Sequence, residues 1–216
     1  MARTLDLYAL IQQPESQRDQ EWERAFIEAF VDAKIEVVGE ESQVGPDGWP
    51  YLYTKTSPQA AEPVGKVIQW LAQRGIGLVV NPHKVMPDYI FPYGMIWHYA
   101  QTGQFIMAPA NNRSGEVFLQ KDKKYIFGPP SETYLPTYVR GILREFLKAQ
   151  GMENPKALVI STEDFKQVDL VFSVESLGHP EPSQHQSIAD SLSWFLPLHY
   201  SLILASEKGL PAFTDL

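Results

Sequence analysis

Four stretches of this chain place apolar residues at steps of three and four, and short runs of branched or aromatic residues fall between them. That alternation is the strongest constraint on the fold. A stripe at helical period must face another layer, and a short branched run suits a buried or half-buried strand. The first stripe, over 17–33, uses Trp22, Ala25, Phe26, Ala29, Phe30 and Ala33, with Ser16 as the expected N-cap. The second, over 58–73, starts at Ser57-Pro58, carries Ala60, Val64, Val67, Ile68 and Leu71, and stops before Gly75. The third, over 136–150, carries Leu135, Val139, Ile142, Leu143, Phe146 and Leu147, with Gly151 just past its end. The fourth begins after Ser183, which has capping-box spacing to Gln186, and is limited by Pro197.

Strands are expected at 35–38, 51–53, 78–80, 158–160, 170–174 and 202–204. Val117-Phe118-Leu119 and Tyr125-Ile126-Phe127 flank a turn containing Lys121, Lys123 and Lys124, which reads as a hairpin with a solvated tip. The polar run Asn111 to Gly115 separates two halves of similar make-up. The expected fold class is α/β (α+β): two small mixed-sheet modules covered by helices, in tandem, over 1–112 and 113–216.

A chain of 216 residues buries enough surface to fold without metal or disulfide. It has no cysteine, which excludes disulfides, thiolate catalysis and cysteine zinc sites. The formal charge is −8, and no basic face of the kind that binds nucleic acid is evident. No run approaches ~20 apolar residues, so no membrane span is expected. The segment MARTLDLYALIQQ lacks the apolar core and cleavage site of a secretory signal, so cytoplasm is the expected location.

The familiar catalytic patterns are missing. Gly75-Ile76-Gly77 lacks a third glycine and precedes a strand, and neither a P-loop nor a nucleophile elbow is present. His179 and His185 lie six apart, a poor spacing for metal ligands on one helix. His98 or His83 could act as a general base. No catalytic residue, cofactor or metal ligand is assigned. The most unusual stretch is Asn81 to Tyr99, which carries Tyr89, Phe91, Tyr93, Trp97 and Tyr99 among three prolines. These aromatics either wedge a short helix, begun at Pro92, against the sheet, or form an exposed patch that binds a partner; both can hold.

Two segments resemble the SseB (enhanced serine sensitivity) family. WPYLYTKTSPQAAEPVGKVIQWLAQRGIGLVVNP, from Trp49 to Pro82, is similar to its N-terminal domain. YIFGPPSETYLPTYVRGILREFLKAQGMENPKALVI, from Tyr125 to Ile160, is similar to its C-terminal domain. The resemblance implies a bacterial cytoplasmic protein of α/β fold, with no catalytic residues to carry over. The leading expectation is a non-enzymatic binding or regulatory protein with a protein partner, and a homodimer is one assembly open to it. The rivals are an enzyme of unrecognised type, a hydrolase or transferase, and an acidic immunity or chaperone-like protein that masks a basic partner.

Overall fold

The computed structural model describes residues 6–105, 113–114, 117 and 119–216. The chain divides into two compact units, Met1–Met107 and Ala108–Leu216, each built from helices and one mixed sheet. The boundary expected at Asn112 lies outside the described residues.

The first unit opens with α1 (Leu7–Ile11) and α2 (Gln20–Val31). Asp19, not Ser16, caps α2: its backbone is extended, and its carboxylate accepts the Trp22 N–H at 2.9 Å. Ser16 is held in a separate 3-10 turn, Glu15–Gln17. Strands β1 (Lys34–Val37), β2 (Gln43–Val44), β3 (Pro50–Lys55) and β4 (Glu62–Pro63) follow. Next come α3 (Val64–Ala72), β5 (Gly77–Val80), β6 (Tyr89–Phe91) and α4 (Tyr93–Thr102). The α3 helix starts six residues later than Ser57-Pro58 suggests. Glu62 and Pro63 pair with Lys34 and Ile35, so that ladder holds the chain extended up to Val64.

The strand order is β4-β1-β3-β5-β6, with β2 also on β3. Among the described residues of this sheet, β3 and β5 form the one parallel pair, from Tyr51 opposite Gly77 to Thr54 opposite Val80. Gly77 is required there. A Cβ at this position would lie 2.5 Å from the Tyr51 ring and 2.9 Å from the Phe91 carbonyl oxygen. The core joins Phe26 and Phe30 of α2, Val64, Ile68 and Leu71 of α3, and Leu78, Val80 and Phe91 of the sheet. Phe30 stacks on Phe91 at 5.0 Å and Phe91 meets Phe105 at 4.7 Å. Full burial of one such ring contributes roughly 1.5–3 kcal/mol.

The second unit contains β7 (Arg113–Ser114), β8 (Tyr125–Gly128), α5 (Thr137–Ala149), β9 (Lys156–Thr162) and β10 (Val168–Ser173). It ends with α6 (His185–Ser193), β11 (Ser201–Ala205) and β12 (Thr214–Asp215). The order is β12-β9-β10-β11-β7, with β8 on β9. The β10–β11 and β11–β7 pairs are parallel. The α5 stripe buries Val139, Leu143 and Leu147. Gly151, at φ 86°, ends that segment in the left-handed region that glycine enters without strain. The capping box near α6 lies two residues earlier than Ser183: Glu181 and Gln184 cap the 3-10 turn Pro182–Gln184.

The lysine hairpin is corrected in its pairing. Tyr125–Gly128 is a strand, but its partner is β9, with Ile126 opposite Ser161. Val117 and Leu119 lie outside strands, and Phe118 is outside the described residues. Lys121, Lys123 and Lys124 are exposed, as a solvated turn requires.

Candidate functional site

The loop Asn81–Asp88 leaves the carboxyl end of β5 and returns into β6. Crevices at the carboxyl ends of parallel strands are where α/β sheets commonly bind ligands. The loop is closed at its base by the Asp88 N–H donating to the Val80 carbonyl at 2.9 Å. Asn81 has φ 55°, a left-handed conformation that asparagine tolerates better than most residues. Its amide nitrogen donates to the Asp88 carboxylate at 2.6 Å and to the Thr56 hydroxyl at 2.8 Å. Its amide oxygen accepts the Thr56 N–H at 2.9 Å. Asn81 therefore ties the ends of both parallel strands to the loop.

Two cations converge on Asp88, whose side chain is wholly buried. Arg18 Nη2 donates to Asp88 Oδ1 at 2.8 Å, and Lys84 Nζ lies 2.7 Å from Oδ2. Arg18 also donates to the carbonyls of Ile11 and Gln13, and stacks 4.7 Å over the Trp22 ring. Lys84 also donates to the Ile11 carbonyl at 3.1 Å. The carboxylate is thus saturated by three partners, an arrangement that fixes structure and leaves no acceptor for a substrate proton. It clamps α1, the segment before α2 and the loop into one piece.

The tip of that loop has the opposite character. Val85 is fully exposed and Met86 is 56 % exposed, between Pro82 and Pro87. An apolar pair held in water above a buried ionic base is the least expected surface of the first unit. A second apolar feature lies across the sheet. Val37, Leu52, Val67 and Trp70 line a groove of about 400 Å³ together with Glu40, Glu62 and Lys66. Trp70 is 45 % exposed, and the Arg74 guanidinium sits 4.2 Å from its ring.

The aromatic segment is placed differently from an exposed patch. Phe91, Tyr93 and Trp97 are buried, and Tyr89 and Tyr99 are half-buried. Tyr93 Oη donates to the Ala72 carbonyl at 2.8 Å. Tyr89 Oη donates to Glu23 at 2.5 Å, and burial followed by that carboxylate pushes its phenol pKa up. Tyr89 stacks on Phe26 at 5.3 Å and Tyr99 on Phe105 at 4.3 Å. Of the residues considered as bases, His98 is buried in α4 and His83 is exposed on the loop.

The second unit has its own polar cluster beyond the parallel pair β10–β11. Ser173 Oγ donates to Glu207 at 2.6 Å, and Ser206 Oγ donates to Glu175 at 2.5 Å. Burial alone would raise the Glu175 pKa, but hydrogen bonds from Ser206 and the Glu207 N–H hold it below the ordinary value. Among the described residues, no group of three or more His, Cys, Asp or Glu is placed to hold a metal ion, and no helix is long and apolar enough to cross a membrane.

Sequence reasoning singled out the stretch from Asn81 to Tyr99 for its aromatics but missed the roles of Arg18, Lys84, Asp88, Val85, Met86 and Trp70. The signal within reach was an apolar pair bracketed by prolines and charges, in HKVMPD. Comparisons with protein-family models, with curated proteins and with solved structures find no match for this chain.

Proposed function

We propose that this chain is a non-enzymatic, SseB-like binding or regulatory protein of the cytoplasm, and that it meets a protein partner through the tip of the Asn81–Asp88 loop. One observation carries this reading. A buried carboxylate with two cations holds the base of a loop whose tip is two exposed apolar side chains. A loop ordered before binding loses less conformational freedom in a complex, so its apolar contacts convert more fully into affinity. Methionine is enriched at interface cores and adapts to irregular surfaces.

The test is the double variant Val85→Ser/Met86→Ser in quantitative affinity capture from cell extract, beside wild type. Burying each of these side chains is worth roughly 1.5–3 kcal/mol, so losing both is expected to weaken a specific partner by about a hundredfold or more. The melting temperature should hold, because neither residue belongs to the core. Undiminished capture by the double variant would overturn the reading.

A further inference from the structure

We infer that Met86 is a site of reversible oxidation, at which a hydroperoxide converts the thioether to the sulfoxide and so releases the loop tip from its partner. The inference rests on the reading of the tip as a contact surface. The chain has no cysteine, so no thiolate competes for the oxidant, and its peroxide chemistry falls to the methionines. Those among the described residues are Met86, Met95 and Met152. Met95 packs, partly buried, against the core of the first unit, and Met152 is half-buried beside Leu147 and Leu177. Met86 stands 56 % exposed.

In the reaction a sulfur lone pair attacks one oxygen of hydrogen peroxide, and the S–O bond forms as the O–O bond breaks. The hydroxide that leaves takes up the proton of the attacked oxygen through solvent and departs as water. The sulfur loses two electrons and the peroxide gains them. Water must solvate the charge that develops on the leaving oxygen, so an exposed thioether reacts ahead of a packed one. The fold makes the change count. Pro82 and Pro87 bracket the tip, and the Asp88 network with Arg18, Lys84 and Asn81 fixes its base. The sulfoxide is therefore held where the apolar contact forms, and a polar S–O group buried there without a donor opposes binding. Val85 has no oxidisable group and keeps its own share of the contact. A thiol-dependent methionine sulfoxide reductase restores the thioether, and the oxygen leaves as water while two thiols become a disulfide.

The test oxidises the purified full chain with hydrogen peroxide, removes the excess with catalase, and follows each methionine by peptide mass. Met86 should gain its oxygen about fivefold faster than Met95 and Met152. Equal rates at the three overturn the inference. The oxidised chain then enters affinity capture from cell extract without added thiol, scored on the proteins that Val85→Ser/Met86→Ser fails to hold. Capture should fall by about tenfold, the worth of one buried apolar side chain, and return after treatment with the reductase and dithiothreitol. The melting temperature should not change. Met86→Leu carries no thioether at the tip, so its capture with and without peroxide should agree, whatever its starting level. Undiminished capture by oxidised wild type, a loss accompanied by a lower melting temperature, or a peroxide-sensitive Met86→Leu would each overturn the inference. Partner lost by Val85→Ser/Met86→Ser but held in full by oxidised wild type removes this inference alone. Full capture by the double variant removes the reading of the tip itself.

Discussion

Replacing Asp88 with asparagine should destabilise the first unit by about 3 kcal/mol. The carboxylate is wholly buried and receives Arg18, Lys84 and the Asn81 amide. Asparagine keeps the shape but removes the charge, and it turns an NH2 group toward donors. Breaking a buried pair by removing one partner costs about 3–5 kcal/mol, because the remaining charge is left uncompensated. Here the lower end applies. Arg18 keeps two carbonyl acceptors and the Trp22 ring, and Lys84 is 32 % exposed, so water relieves part of its charge. With a urea m-value of about 1.5–3 kcal/mol/M, the midpoint should fall by ~1–2 M. Urea unfolding followed by hydrogen exchange at the amides of β3 and β5 reads the first unit directly. A further Lys84→Met change in the Asp88→Asn background should recover part of the loss, since it removes one stranded cation. A loss under about 0.5 kcal/mol would show that the network behaves like an exposed ion pair, and the clamp would be refuted.

Gly77→Ala should cost about 1–3 kcal/mol from overpacking against Tyr51 and the Phe91 carbonyl, and Tyr51→Val should suppress part of that cost; thermal melts of the single and double variants check it. Burial holds the His199 imidazole below its ordinary pKa of 6.5, so the unfolded chain takes up its proton first. Stability of the second unit should therefore fall as pH drops below about 6.5, and melting temperatures at pH 7.5 and 5.5 should converge in His199→Gln. Glu175 has the opposite origin: its lowered pKa adds stability above the ordinary carboxylate range, which is lost in more acid solution.

The helices that packing supports along their whole length were the most legible from sequence. The α2 stripe from Trp22 to Phe30 and the α5 stripe from Val139 to Leu147 both bury the faces that their spacing indicates. Local signals failed where a distant strand competed with them. Ser57-Pro58 is a sound helix start in isolation, but pairing of Glu62–Pro63 with β1 delays the helix. Tyr125–Phe127 has strand character, yet its partner β9 begins some thirty residues on, so hairpin reasoning chose the wrong neighbour. The aromatics of 89–99 were open to two readings because composition does not report burial. Their neighbours on α2 and at Phe105 put Phe91 in the core. The Asp88 network was illegible for the same reason, since Arg18 lies seventy positions away.

The exposed tip itself can be observed most directly through its methyl group. In a chain labelled with carbon-13 at the methionine methyls, Met86 should shift and broaden as partner is added, while Met95 and Met152 should hold their positions. A Met86 signal that stays sharp and unshifted while a complex forms would contradict the role given to this loop.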